Sequence, residues 1–108
     1  MIRSMNLGEY QKKVDNWIKE ETDGYWSPQG VMLRLVEEVG ELAREVNHRF
    51  GEKKRKNSDS NREISDEVGD VFFTLMCFSN ALKIDMGSSL DGVLKKYTDR
   101  DKGRHKRA

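Results

Sequence analysis

Two stretches decide how this chain reads: VMLRLVEEVGELAREV at residues 31–46 and EISDEVGDVFFTLMCF at residues 63–78. Both carry apolar residues at intervals of three and four, the period of an α-helix. Each also carries acids at i and i+3, Glu38 with Glu41 and Glu67 with Asp70. Residues so spaced project from the same side of a helix, so two such helices packed together offer four carboxylates to one cavity. Gathered carboxylates repel one another and lose hydration, a cost that a hard divalent cation with oxygen preference removes. Mg²⁺ is the first candidate and Mn²⁺ a substitute. The pattern therefore points to metal-dependent chemistry on phosphates. The competing reading is that acids at helical spacing simply face water, as most do.

A helical wheel favours the first reading. Along the first stretch Val31, Met32, Leu35, Val39, Leu42, Val46 and Phe50 fill one arc, bordered by Glu38, Glu41 and Glu45. Along the second, Ile64, Val68, Val71, Phe72, Leu75 and Leu82 form the arc, adjoined by Glu63, Glu67, Asp70 and Thr74. Residues 71–78 are apolar almost all round, as in a helix covered on every side. Phe73, Met76 and Cys77 fall opposite its core arc. The expectation is a homo-oligomer, a dimer or a tetramer built from dimers, with this helix at its centre.

Outward from these stretches the chain reads as all-α. One proline and no strand-like alternation leave four helices separated by recognisable stops. The first runs from about Asn6 to Thr22, with Asn6 and Glu9 in capping-box spacing and a stripe through Leu7, Tyr10, Val14, Trp17 and Ile18. The second opens at Ser27-Pro28, a capping residue followed by a proline suited to the first helical position, and reaches Phe50 and Gly51. Ser60 and Glu63 form the capping pair expected to start the third, which extends to about Lys83. Ser88 and Asp91 are expected to start the fourth, through Leu90, Val93, Leu94 and Tyr97. Beyond Arg100 the basic tail, 101–108, is expected to fray.

The 108 residues suit one domain, and 36% charged against 35% hydrophobic residues leave a modest core for a lone monomer. A net charge of +1 carries no nucleic-acid signature, so no stable nucleic-acid partner is expected. The single cysteine, Cys77, lies inside the apolar run and reads as a buried structural thiol. No apolar run reaches the about 18 residues of a membrane span and no signal-peptide core follows Met1; a cytoplasmic location is expected. Lys53, Lys54, Arg55 and Lys56 crowd the connection at about 51–61, either a solvated loop or a phosphate-facing lid. Lys96 and Arg100 lie one helical turn apart. Tyr25 and Trp26, just before the second helix, offer a base-stacking surface, whereas Trp17 reads as core. Glu45 and His48 have the Glu-x-x-His spacing of di-iron bundles.

Glu-Glu-x-x-Glu at 37–41 followed by Glu-x-x-Asp at 67–70 resembles the signature of MazG-type nucleotide pyrophosphohydrolases, the all-α NTP pyrophosphatase superfamily. The resemblance extends over roughly residues 7–101 and includes Ser27-Pro28, Leu35 through Arg49, Glu67 through Leu75, and Lys96-Tyr97. It implies an oligomeric four-helix MazG-like bundle spanning 1–108. By the same likeness, Glu38, Glu41, Glu67 and Asp70 would hold Mg²⁺, with Glu37 as catalytic base or second-metal contact. Lys96 and Arg100 would contact phosphate, and a neighbour's basic residues would complete each site. The implied reaction cleaves an NTP or dNTP between its α and β phosphates, giving the monophosphate and pyrophosphate, for nucleotide-pool sanitising or control. Two other classes stay open on the residues alone. One is a di-metal carboxylate oxidase built from symmetry-related Glu45/His48 pairs; the other is a non-enzymatic helical interaction module.

Overall fold

The computed structural model describes residues 4–51 and 63–101. They form four helices, α1 (Leu7–Glu21), α2 (Pro28–Phe50), α3 (Ile64–Ala81) and α4 (Met86–Arg100), with no strand among the described residues. The chain is all-α, as its periodicity requires.

The helix starts follow local chemistry. At α1, Asn6 Oδ1 accepts from the Glu9 amide at 2.8 Å and the Glu9 carboxylate accepts from the Asn6 amide at 3.2 Å, a complete capping box. At α2, Ser27 Oγ accepts from the Gly30 amide at 3.1 Å, with Pro28 in the first turn where no N–H is needed. Ser60, expected to start α3, lies outside the described residues. Helix α3 begins behind Glu63, whose amide donates to Asp66 Oδ2 at 3.2 Å. At α4 the expectation is corrected: the cap is Asp85, whose Oδ1 accepts from the Ser88 amide at 2.9 Å. Ser88 is therefore already inside the helix, because an aspartate three residues earlier reaches its N–H first. The basic segments 52–62 and 102–108 lie outside the described residues.

Helices α2 and α3 make the longest contact, running antiparallel: Val31 near the start of α2 clusters with Cys77 near the end of α3, and Arg49 at the far end of α2 reaches Glu63. Helix α1 lies across α3, adding Ile18 to that cluster with Val14, Tyr25 and Phe78 packed round it. Its other end is held by amides. Gln11 Nε2 donates to Asn80 Oδ1 (2.9 Å) and to the Ile84 carbonyl (2.8 Å), Asn80 Nδ2 donates to the Gln11 carbonyl (2.9 Å), and the Met86 amide donates to Gln11 Oε1 (2.9 Å). Helix α4 packs on α1 and has no buried residue.

Two helical faces differ from the wheel. The side of α2 turned to α3 carries Val31, Glu38 and Glu45, each seven residues from the next and each buried, with Leu35 and Leu42 between them. A second stripe, Met32, Val36, Val39, Val46 and Phe50, stays exposed. On α3 the buried residues are Glu67, Thr74, Met76, Cys77 and Ser79, while Val68, Phe72, Leu75 and Leu82 face outward. The expectation that Met76 and Cys77 project away from the chain's own core is thus corrected. Acids at the seam turn α3 so that its bulky apolar residues point elsewhere. Phe73 is intermediate in role: it meets Trp17 edge-on, centroids 5.9 Å apart at 83°. Trp17 itself is 49% exposed and so is not the core residue its stripe suggested.

The end of α3 shows one strained position. The Ile84 amide bonds to the Ser79 carbonyl (2.8 Å) and the Lys83 amide to the Asn80 carbonyl (3.1 Å), with Lys83 at φ 60°. This is a Schellman motif with lysine where glycine is favoured. Lys83→Gly is expected to raise stability by about 0.5–1 kcal/mol, seen as a higher midpoint in thermal or urea unfolding.

Candidate functional site

Glu38 on α2 faces Glu67 and Asp70 on α3, and one carboxylate oxygen from each lies within 4.8 Å of the other two. Glu38 and Glu67 are buried, at 6% and 5% exposure, and Asp70 is partly buried. Helix geometry explains the trio. Residues 67 and 70 share the seam side of α3, and 38 stands in line with 31 and 45 on the seam side of α2. Glu41 stands to Glu38 as Asp70 does to Glu67, but the rotation of α2 leaves it exposed at the open side. Glu45, on the next heptad, is buried instead.

The trio opens into a cleft of about 260 Å³ lined by Glu37, Glu38, Glu41, Glu45, Glu67 and Asp70, with Arg34 and Arg44 as its cations. Arg34 Nη2 pairs with Glu38 Oε1 at 2.8 Å; below, Arg49 bridges Glu45 (3.5 Å) and Glu63 (3.2 Å). The trio fits a hard cation. An octahedral Mg²⁺ holds its oxygens roughly 3–4.2 Å apart, close to the spread observed, and the donors are carboxylates alone, without the sulfur or imidazole that a zinc site recruits. His48 does not line the cleft, so the Glu45/His48 pairing is not assembled there.

Beside the cleft lies a larger cavity of about 460 Å³, walled by Ile18, Thr22, Gly24, Tyr25, Trp26, Val31, Arg34, Glu38, Asp70, Phe73, Thr74 and Cys77. Glu38, Asp70 and Arg34 belong to both. Its wall of residues 22–26 is pinned locally. Thr22 Oγ1 donates to the Ile18 carbonyl (2.6 Å) and accepts from the Gly24 amide (3.0 Å); Gly24 sits at φ 119°, open to glycine. Tyr25 Oη donates to Asp15 Oδ1 (2.6 Å), and Lys19 pairs with the other oxygen of Asp15 (2.8 Å). Lys19, then Tyr25, hold the Asp15 carboxyl below its usual range, whereas burial and the Asp15 bond push the Tyr25 hydroxyl up to about 12. Burial pushes the Cys77 thiol up to about 11, which leaves it protonated and unreactive at neutral pH.

Of the other expected site residues, Glu37 lines the cleft and Trp26, 64% exposed, lines the cavity. Lys96 and Arg100 line neither. They flank the Tyr97 ring on α4 at 5.1 and 4.7 Å, and Arg100 makes a two-point pair with Asp101. One chain does not bring them to the acids. Sequence reading passed over Arg34 and Arg44; the legible signal for the first was its i, i+4 relation to Glu38.

A model of the MazG nucleotide pyrophosphohydrolase domain matches residues 26–105, most of the chain and all of the acidic cleft. The chain belongs to the MazG family. It is 46% identical over 98 residues to an uncharacterised protein of Bacillus subtilis strain 168, YpjD, covering 91% of this chain and 88% of that protein. Two MazG-fold crystal structures superpose closely. One is YPJD of Bacillus subtilis, for which a pyrophosphatase role has been proposed (TM-score 0.80, 42% identity, 89% of this chain and 98% of that one). The other is a Bacillus-conserved MazG protein, a nucleotide pyrophosphohydrolase (TM-score 0.79, 42% identity, 94% and 98%). Membership places the chain among enzymes and decides against the interaction-module reading. No helix among the described residues is long and apolar enough to cross a membrane.

Two stability measurements follow from this geometry. Removing one like charge from the trio with Glu67→Gln is expected to raise the melting temperature of metal-free protein and to diminish the further rise on adding Mn²⁺. The raised Tyr25 and Cys77 values act at alkaline pH. The unfolded chain releases their protons near the ordinary values of 10 and 9, while the folded chain holds them to about 12 and 11. The unfolded state then binds fewer protons, so stability falls as pH rises through 9–12. Tyr25→Phe is expected to flatten the upper part of that fall in urea titrations, and Cys77→Ala the lower part.

Proposed function

We propose that this protein hydrolyses nucleoside or deoxynucleoside triphosphates between the α and β phosphates, using Mg²⁺ or Mn²⁺ and releasing the monophosphate and pyrophosphate. The observation that carries the reading is the shared wall of Glu38 and Asp70. A ligand with its aromatic ring in the larger cavity presents its phosphates to the carboxylate cleft. Glu38, Glu67 and Asp70 would hold the cation, with Glu41 as a fourth carboxylate on the cleft. When bound, the cation offsets charge on the phosphates and acidifies a coordinated water. Glu37 lies on the cleft outside the close trio, and its carboxylate takes the proton of the attacking water. Trp26 covers one face of the base. Such an enzyme serves nucleotide-pool sanitising or control in the cytoplasm and needs neither a membrane nor a nucleic-acid partner.

The active species in this proposal is a homo-oligomer. The outward stripes Met32, Val36, Val39, Val46 and Phe50 on α2 and Val68, Phe72 and Leu75 on α3, continued by Leu82 at its C-cap, are exposed apolar residues that a second copy would cover. Lys96 and Arg100, away from their own cleft, contact phosphate in the cleft of a neighbouring copy.

A nucleotide panel with separate detection of pyrophosphate and phosphate tests the reaction. Glu38→Gln, Glu67→Gln and Asp70→Asn are each expected to abolish turnover with the helical fold intact; activity retained in two of them would reject the shared site. Glu37→Gln is expected to lower turnover by roughly 10²–10⁴ with metal affinity nearly unchanged. Phe72→Glu is expected to give a monomeric mass by light scattering. Mixing inactive Glu38→Gln and Lys96→Ala chains is expected to restore up to about a quarter of wild-type activity, because random dimers then include one intact composite site. A mixture that stays inactive would place Lys96 in its own chain's site, and a Lys96→Ala chain active by itself would place it outside the reaction.

A further inference from the structure

Arg34 occupies a position that the acidic motif does not specify. It stands on the seam between the cleft and the cavity and lines both, so a nucleotide spanning the two passes its guanidinium. Its side chain is 51% exposed, whereas the Glu38 carboxylate it holds at 2.8 Å is 8% exposed. The arginine is thus open to solvent and the glutamate is not. Within the cleft lining six carboxylates face two guanidinium groups, and Arg34 pairs with Glu38, a member of the close trio.

Resting on the pyrophosphohydrolase reading above, we propose that Arg34 is an exchangeable counter-ion. It neutralises Glu38 in the empty cleft, gives that carboxylate up to the divalent cation, and then binds a phosphate oxygen of the substrate. The exchange follows from charge. A cation on Glu38 removes most of the attraction that holds Arg34, and the incoming polyphosphate offers several anionic oxygens that the planar guanidinium can engage at two points. No side chain has to cross the site, since the guanidinium already borders both spaces. The pairing also means that Arg34 competes with the metal before substrate arrives and assists the substrate afterwards.

This double role moves two affinities in opposite directions, which a merely structural arginine does not do. Manganese binding to the nucleotide-free protein is measured by calorimetry, and binding of inorganic tripolyphosphate is measured to the Mn²⁺-loaded protein. Arg34→Gln is expected to bind Mn²⁺ about two- to fivefold more tightly, the worth of a partly exposed ion pair. It is expected to bind tripolyphosphate roughly tenfold or more weakly, the worth of a charge-assisted contact. Arg34→Lys is expected to restore part of the tripolyphosphate affinity. Unchanged or weaker Mn²⁺ binding in Arg34→Gln would overturn the exchange, and undiminished tripolyphosphate binding would overturn the phosphate contact. Neither measurement depends on turnover. A wild type inactive toward every nucleotide would reject the proposed reaction while these two affinities still decide the role of Arg34.

Discussion

Carboxylates buried between α2 and α3 are the constraint to which the remainder of the molecule adjusts. Glu38, Glu45 and Glu67 occupy seam positions where a helical pair ordinarily places leucine or valine. Each buried acid needs compensation, which Arg34 provides for Glu38 and Arg49 for Glu45. The apolar residues displaced from the seam reappear on the outer faces of the same two helices. Only Ile18, Val31, Met76 and Cys77 are buried hydrophobic residues among those described. The chain has surrendered core to make room for a charged cavity, and its outer faces carry the apolar surface that results.

The helices were legible because their ends are written in short-range chemistry. Asn6 with Glu9, Ser27 before Pro28 and Gly51 after Phe50 each mark a boundary that depends on neighbours three or four residues away. The rotation of each helix was less legible. Helix α2 has two apolar stripes, Val31–Leu35–Leu42 and Met32–Val36–Val39–Val46–Phe50, and a wheel merges them into one arc. Which stripe meets α3 is decided by where the acids of both helices converge, a tertiary fact. The same limit explains the site. The trio Glu38, Glu67 and Asp70 could be read from spacing, whereas the exposed position of Glu41 and the buried one of Glu45 depend on that rotation.

The cavity beside the cleft was the least visible feature, because its walls come from three separate parts of the chain. Helix α2 supplies Val31, Arg34 and Glu38, α3 supplies Asp70, Phe73, Thr74 and Cys77, and the end of α1 with the α1–α2 connection supplies Ile18, Thr22, Gly24, Tyr25 and Trp26. That connection is not held by apolar packing alone. Thr22 closes the end of α1, Gly24 turns the chain, and Tyr25 is tied to Asp15. Only Tyr25 and Trp26 stood out beforehand, as aromatics before a helix; their polar supports carry no spacing that singles them out.

The amide pair Gln11 and Asn80 has a consequence for alignment. An apolar stripe tolerates sliding of one helix along another by a turn, since a new set of methyl groups meets a similar set. Two amides of which Gln11 donates to the Asn80 side chain and Asn80 to the Gln11 carbonyl, while Gln11 also serves Ile84 and Met86, are satisfied at one axial offset only. Sliding α1 by a turn, about 5.4 Å, would break all four bonds at once. Gln11 therefore works as a register pin. It fixes how far along α3 the far end of α1 falls, and with it the distance from which residues 22–26 reach across to the acids.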